Sequence, residues 1–385
     1  MDRGLYTADH EAFRGLVRTF DAREVVGKLE DWYAGKRIPR EVWEAAGRSG
    51  VLGLTGPEEF GGGGQAHDFR FCNVVYEELA NVYATPLSAS FAMTDDGLIQ
   101  YINLLGSQEQ KERWLPGLIA GKIIGSIAMT EPGTGSDLQG VRTSGSRVEG
   151  GWIVNGAKTF ITLGIYSDII ITVVRTDPTD SSRAHSLLVV EAGMDGFSRG
   201  RNLAKAGLDA QDTAELFFED VFVPDANVLG EIGGGFAQLS SLLPLERLGI
   251  AALAVAGAEA ILQATVDYTR TREAFGQRIA EFQNTRFQLA DMATEIDVAR
   301  AYLDRAIIGF NHGTLTGVEA AKAKLFASET NHRVVDRCLQ LHGGYGYMLE
   351  YPVARAYQDV RVQRIFGGTS EIMRTIIGRD LVGRA

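Results

Sequence analysis

The sequence predicts an α+β chain in three parts: an N-terminal helical domain, a middle antiparallel β domain and a C-terminal helical bundle. Three observations point there. Nine prolines occur, yet none lies between Pro244 and Pro352, and a long proline-free stretch suits long helices because proline removes a backbone donor and clashes with the preceding turn. Short runs rich in Ile, Val, Phe and Thr gather between residues 122 and 229, separated by turn dipeptides such as Gly150-Gly151 and Asn155-Gly156. Helical periodicity flanks this block on both sides, so the order is helices, strands, helices, unlike the strand–helix alternation of a doubly wound sheet.

Each part follows from its own pattern. Within residues 1–121, helices are expected at 11–30, 39–49, 71–81 and 108–119, with a glycine-rich loop at 60–64. Within 122–229, strands are expected at 123–129, 152–154, 168–174, 186–190 and 216–223. Within 230–385, residues 246–271 and 318–341 read as helices. Between them Leu289, Met292, Ile296, Ala299, Leu303, Ala306 and Phe310 step by three and four, which draws one apolar helical stripe.

Composition narrows the function. The chain has 385 residues, 45% hydrophobic and 23% charged, enough to bury a large core. A net charge of −11 argues against nucleic acid and against adsorption to anionic membranes. Two distant cysteines, Cys72 and Cys338, argue against a disulfide framework and for a reducing compartment. The opening residues hold acidic side chains and no apolar stretch of signal-peptide length, and no long uncharged apolar run appears. A cytoplasmic protein without membrane insertion is the expectation. The 46 glycines are about 12% of the chain, against a usual ~7%, and suggest loops whose backbone approaches a ligand.

Common motifs are absent. Gly133-Thr-Gly135 and Gly344-Tyr-Gly346 both lack the third glycine of a Rossmann fingerprint, and Gly156-Ala157-Lys158-Thr159 is not a Walker A loop. There is no nucleophile elbow, paired-histidine zinc motif or C-x-x-C pair, and no metal site is expected. Three segments remain: Ile127-Ala-Met-Thr-Glu-Pro-Gly-Thr-Gly-Ser-Asp137 after the first strand, Gln340-Leu-His-Gly-Gly-Tyr-Gly-Tyr347 at a helix end, and Ile365-Phe-Gly-Gly-Thr-Ser-Glu-Ile372 before the last helix. Singly they read as a turn, a glycine helix stop and a threonine cap.

Together, in this order, they resemble the acyl-CoA dehydrogenase family of flavoproteins, and the resemblance runs from Gly53-Leu-Thr-Gly-Pro-Glu-Glu-Phe-Gly61 to the final helix. Leu243-Pro-Leu-Glu-Arg-Leu248, the segment Ala210 to Asp220 and the pair Gly367-Gly368 are most similar to the long-chain branch. The resemblance implies a barrel-like middle domain, a four-helix bundle at the C-terminus, and FAD as cofactor. Met129, Thr130, Gly135, Ser136, Phe160, Ile161 and Thr162 would lie against the flavin. Arg272, Phe275, Gln283, Gln340, Leu341, His342, Gly343 and Gly344 would hold the ADP half from a neighbouring subunit, implying a homo-oligomer, a tetramer built as a dimer of dimers. Thr369, Ser370 and Glu371 match the remaining FAD contacts. Ser136, Arg247, Gly367 and Gly368 match positions near the acyl-CoA, and an electron-transferring flavoprotein is the implied electron acceptor.

One position departs from the common pattern. Many members carry the catalytic glutamate directly before the Gly-Thr of the third motif, where this chain has Gly367. Glu246, beside Arg247, occupies the position that supplies the base in the long-chain and isovaleryl branches, and it is expected in the first turn of a helix after Pro244. Removing the α-proton of an acyl thioester needs a carboxylate at Cα, whichever helix carries it. Small residues Ser88, Ala89, Ser90 and Ala92 suit either a deep acyl pocket or tight helix packing. A non-catalytic acyl-CoA-binding homologue, an acyl-CoA oxidase and a dehydrogenase of carrier-protein thioesters are the competing readings.

Overall fold

The computed structural model describes residues 3–177, 179 and 184–383. The N-terminal part is built from α1 (Ala8–Glu24), α2 (Leu29–Gly35), α3 (Arg40–Ser49), α4 (Arg70–Asn81), α5 (Thr85–Ala92), α6 (Gln100–Leu105) and α7 (Gln108–Ile119). The helix expected over 11–30 is two helices, because Val25, Val26 and Gly27 are poor helix formers that open a turn between α1 and α2. A π-helical stretch, Met93–Ile99, joins α5 to α6 and buries Asp95 and Asp96. Such stretches are rare and gather at functional sites.

The middle part holds β1 (Gly125–Ala128), β2 (Ser144–Val148), β3 (Gly151–Thr162), β4 (Ile169–Arg175), β5 (His185–Glu191), β6 (Phe197–Asn202), β7 (Thr213–Pro224) and β8 (Val228–Leu229). They form one sheet in the order β6-β7-β3-β2-β4-β5-β8, with β1 beside β4. Pairing is mostly antiparallel, but β1 runs parallel to β4, which the reading of an antiparallel block did not anticipate. The Asn155-Gly156 pair, expected as a turn, lies inside β3: the register against β7 shifts there, and Gly156 adopts φ 151° against Thr143, so it is a bulge. Strands β4 and β5 are apolar on both faces. Ile170, Val174, Leu188 and Val190 face the β3–β7 half of the sheet, while Ile169, Ile171, Val173, Leu187 and Val189 face the helices. This two-sided burial fastens the sheet to the helical parts.

The C-terminal part comprises α8 (Gly235–Thr271), a hairpin of β9 (Glu273–Ala274) and β10 (Gln277–Arg278), α9 (Gln283–Asn311), α10 (Gly317–His342), α11 (Pro352–Asp359) and α12 (Ser370–Val382). Helices α8, α9 and α10 pack together, and α12 lies along α10. By length and composition α8 could cross a membrane; here it is the central core helix, with Leu245, Leu248, Ala251, Ala252 and Val255 buried in one cluster with residues of α1, α3, α4 and α5. The N- and C-terminal helices therefore share a core. Burying each Leu in it is worth about 1.5–3 kcal/mol. Helix α8 begins before Pro244, not after it, so Glu246 sits in the helix interior and the favourable first-turn dipole expected for it does not apply.

Candidate active site

Two groups of residues emerge. The first begins where β1 ends. Residues 129–136 form a turn closed by the Glu131–Thr134 backbone pair, with bonds of 2.9 and 3.1 Å. A buried cation secures it: Lys158 Nζ on β3 donates to Met129 O at 3.0 Å and to Glu131 Oε1 at 2.9 Å. Glu131 also accepts from the Arg142 and Thr143 amides at 2.7 and 2.8 Å. Burial favours its neutral form, but these partners outweigh burial and hold the carboxyl below its usual range. Burial pushes Lys158 down to about 8 despite the opposing pull of Glu131. Thr159 N donates to Thr130 O at 2.9 Å, so β3 carries the turn directly.

Phe160 follows on β3 with φ 59°, and its ring is 68% exposed. A bulky residue in left-handed backbone costs about 1–3 kcal/mol and marks functional sites. Ile161 is buried in the sheet core, so only its backbone can face a ligand; Thr162 is half-buried and its carbonyl accepts from Ser126 Oγ. Thr130 is half-buried, and Gly135 and Ser136 are exposed, leaving their polar groups open to a ligand.

Glu246 and Gly367 are related through one turn of α8. Ile250 lies four residues after Glu246, on the same helical face, and its Cδ1 fills the space that a Cβ on Gly367 would need. Gly367 and Gly368 take φ 61° and 95°, a double left-handed turn held by Lys324 Nζ donating to Gly368 O at 2.7 Å. Lys324 is fully buried and burial pushes its amine down to about 8. Arg247, 8% exposed, has an Nε without a partner among the described residues. Two cationic side chains thus underlie the glycine turn, favouring negative charge beside it. Glu246 accepts from Tyr101 Oη at 2.9 Å. Burial raises the Glu246 carboxyl above its usual range, and the Tyr101 bond and Arg247 oppose that rise only in part.

Asp96 stands next to this pair. Its Oδ2 accepts from Tyr76 Oη at 2.6 Å and occupies the Cβ space of Gly249, three residues after Glu246. Burial raises the Asp96 carboxyl well above its usual range. Ile127, near the end of β1, lies 3.5 Å from the Cβ position of Gly97, which ties the first strand to the same place. Thr369 caps α12 by accepting from Ile372 N at 3.2 Å, Ser370 Oγ donates to Glu329 at 2.7 Å, and Glu371 is exposed. Sequence reasoning singled out Glu246, Arg247 and both glycines but missed Tyr101, Asp96 and Lys324, which look like ordinary helix residues in the sequence.

The second group lies at the far end of α8. Arg272 follows that helix, and Phe275 stands at the tip of the β9–β10 hairpin with φ 54° and a ring 97% exposed. A cleft of about 520 Å³ is lined by Tyr268, Arg272, Gln340, Leu341, His342, Gly343 and Gly344. The Arg272 guanidinium lies 5.4 Å above the Tyr345 ring. His342 is committed internally: it stacks on Tyr268 at 4.2 Å and its Nδ1 pairs with Cys338 O at 2.8 Å. Gln283 opens α9 and is exposed. These residues suit an adenosine diphosphate moiety, with glycine backbone and one arginine for the phosphates and bare rings for stacking. The first group, with its strained bare Phe160 beside an open polar turn, suits a flat heteroaromatic ring. Among the described residues no cluster of His, Cys, Asp and Glu could hold a metal.

The comparisons agree with this chemistry. Family models for the acyl-CoA dehydrogenase N-terminal, middle and C-terminal domains match residues 7–122, 126–221 and 233–382. The mitochondrial long-chain specific acyl-CoA dehydrogenase of Rattus norvegicus is 45% identical over 382 residues, 99% of this chain and 88% of the relative. The mitochondrial isovaleryl-CoA dehydrogenase of Solanum tuberosum is 35% identical over 98% of this chain and 91% of its own length. Among solved structures, an acyl-CoA dehydrogenase from Geobacillus kaustophilus superposes with a TM-score of 0.95 at 43% identity, covering 98% of this chain and 99% of that one. A glutaryl-CoA dehydrogenase from Mycobacterium smegmatis in complex with FADH2 gives 0.92 at 27% identity, covering 100% and 97%. Fold, motifs and relatives converge: the chain belongs to the acyl-CoA dehydrogenase family and is an FAD-dependent oxidoreductase.

Proposed function

We propose that this enzyme oxidises long straight-chain acyl-CoA thioesters to trans-2-enoyl-CoA, that Glu246 takes the α-proton, and that an electron-transferring flavoprotein receives the electrons. The observation that carries the base is the pairing of Glu246 with a side-chain-free Gly367 across Ile250, which leaves one carboxylate beside the glycine turn. The Gly367 and Gly368 amides, above buried Lys324 and Arg247, are suited to donate to the thioester oxygen as it gains negative charge. FAD, held by the residues named above, supplies the acceptor for the hydride leaving Cβ. A raised Glu246 carboxyl brings the base nearer to neutral pH, where proton transfer is efficient.

Chain length rests on the seam between α5 and α8. Asp96 meets Gly249 at one end, and at the other a cavity of about 200 Å³ is lined by Thr85, Leu253, Gly257, Ala260 and Ile261. Ala260 is 14 residues beyond Glu246, about 21 Å along the helix, the scale of a long fatty tail rather than a short branched one. On α5, the small residue Ser88 is buried and Ala89 and Ala92 are half-buried. Ser90 is occupied by Gln211 and Pro86. Glu246 and Arg272 stand about 39 Å apart along α8, which supports a site completed by a second subunit and so a homo-oligomer. Free, buried Cys72 and Cys338 are consistent with a reducing, cytoplasm-like compartment.

Anaerobic titration of the FAD-loaded enzyme with acyl-CoAs of graded length tests the reading. Bleaching should be fastest with long straight chains, and Glu246→Gln should slow it by about 10²–10⁴-fold while retaining FAD. A preference for isovaleryl-CoA overturns the chain-length assignment. Parental bleaching by Glu246→Gln overturns the base, no bleaching with any thioester leaves a binding protein, and peroxide release in air would mark an oxidase.

A further inference from the structure

Tyr101 is fully buried on α6, packed among Leu98, Ile102, Leu239 and Leu242. Its hydroxyl has two acceptors within reach, Glu246 Oε1 at 2.9 Å and Leu239 O at 3.3 Å, but only one proton to give. Both acceptors belong to α8, on either side of Pro244, so ring and helix fix the triangle. A phenol can donate one hydrogen bond and still accept another.

We propose that Tyr101 is a positioning residue for Glu246, its proton pointing to the glutamate while the base is ionised and turning to the Leu239 carbonyl once the base is protonated. This rests on the reading of Glu246 as the base. In the first state the phenol holds one carboxylate oxygen and leaves the other free to face the substrate Cα. The Cα–H bond then breaks, its proton passes to that free oxygen, and its electron pair becomes the new double bond as hydride leaves Cβ. The Oε1 held by Tyr101 is then the carbonyl oxygen of a neutral acid, a weaker acceptor than a carboxylate, and the Tyr101 proton is released to rotate to Leu239 O. The change in hydrogen bonding needs only a rotation of the Tyr101 O–H, so the pair adds little reorganisation to proton transfer.

The surroundings leave this role to Tyr101. Facing Glu246 are Arg247 from its own helix, Asp96 from the π-helical stretch and Tyr101 from α6, with Lys324 of α10 next to Arg247. Asp96, its carboxyl pushed up chiefly by burial, accepts from Tyr76 through Oδ2 and makes no hydrogen bond to Glu246 among the described residues. Tyr101 is the hydrogen-bond donor recorded at the carboxylate among the described residues.

The test is Tyr101→Phe in the FAD-loaded enzyme, followed by rapid-scan flavin reduction across pH. The ring still fills its place, so FAD content and thermal stability should stay near parental. Losing a bond that favours the charged base should move the acid limb of the rate profile up by about one pH unit and slow reduction about tenfold on that limb, with recovery at higher pH. Replacing Tyr101 by 3-fluorotyrosine, a stronger donor of nearly the same shape, should move the limb the opposite way, and this arm decides the matter should the phenylalanine variant fold poorly. An unmoved limb, or a loss equal at every pH, overturns the proposal. Glu246→Gln run alongside separates the two claims: slow reduction there with a parental Tyr101→Phe removes only the Tyr101 role, whereas parental reduction by Glu246→Gln removes the base itself.

Discussion

Gly367 illustrates how one missing side chain redirects a site. Its φ of 61° already disfavours any side chain by about 1–2 kcal/mol, and Ile250 Cδ1 stands where a Cβ would go. A carboxylate at position 367 would therefore need changes around it. Moving the base makes the point testable. In a Glu246→Thr background, Gly367→Glu should recover little flavin reduction. Adding Ile250→Val, which removes the interfering methyl, should raise the recovery about tenfold, the scale of relieving 1–3 kcal/mol of overpacking. Stopped-flow bleaching reads both variants. Equal recovery with and without Ile250→Val would mean that packing against α8 is not what keeps glycine here. The pairing of Glu246 with Gly367 was legible in the sequence because both positions carry motif context. Tyr101 and Asp96 were not, since a tyrosine and an aspartate in an apolar helix give no sign of which way they face until α6 and α8 are packed.

At the scale of elements, the long periodic helices α7, α9 and α10 followed closely from sequence, because three- and four-residue spacing persists over many turns. The elements that escaped were those with tertiary causes. Segment 85–105 is nearly all buried, so it shows no polar face, and its π-helical stretch interrupts the period. Asn155-Gly156 has the composition of a hairpin turn but is held inside β3 by pairing on both sides. Strand β3 also carries the element-scale prediction. The Lys158–Glu131 ion pair helps tie the 129–136 turn to the sheet only while Lys158 is charged, and its amine, depressed by burial from 10.5 to about 8, loses that charge far earlier than an exposed lysine. FAD should accordingly dissociate more readily from the parent as pH rises through about 8. Lys158→Met should bind FAD about tenfold or more weakly below pH 8 and lose that pH step, because Glu131 is left buried without its cation. Flavin fluorescence on dilution follows the release. A parental affinity in Lys158→Met, or an unchanged pH step, would show that the ion pair does not hold the turn.

At the scale of the molecule, α8 underlies the proposal that the cofactor site is completed by a second chain. It starts against the sheet, carries Glu246 beside the glycine turn, and delivers Arg272 and Phe275 some 39 Å away, where their surroundings are exposed rather than packed. Rigid core packing along its length, shared with α4, α9 and α10, forbids the two groups from folding together within one protomer. Two strained, bare phenylalanines, Phe160 in one group and Phe275 in the other, make sense if each faces a cofactor shared with a neighbour. Mixed oligomers test this arrangement. Glu246→Gln alone lacks the base in every site, and Arg272→Glu alone places a carboxylate where cofactor phosphates should sit, so each homo-oligomer should reduce flavin slowly or bind little FAD. When the two chains are co-expressed with different tags and isolated as mixed assemblies, sites built from the Glu246 side of one variant and the Arg272 side of the other are damaged twice. The complementary sites carry neither change and should restore a measurable fraction of parental bleaching. If each chain held its own whole site, every site would keep one lesion and mixing would restore nothing. Activity of the mixed assembly above the average of the two parents is therefore the expected result, and activity no higher than that average would place the entire cofactor site within a single chain.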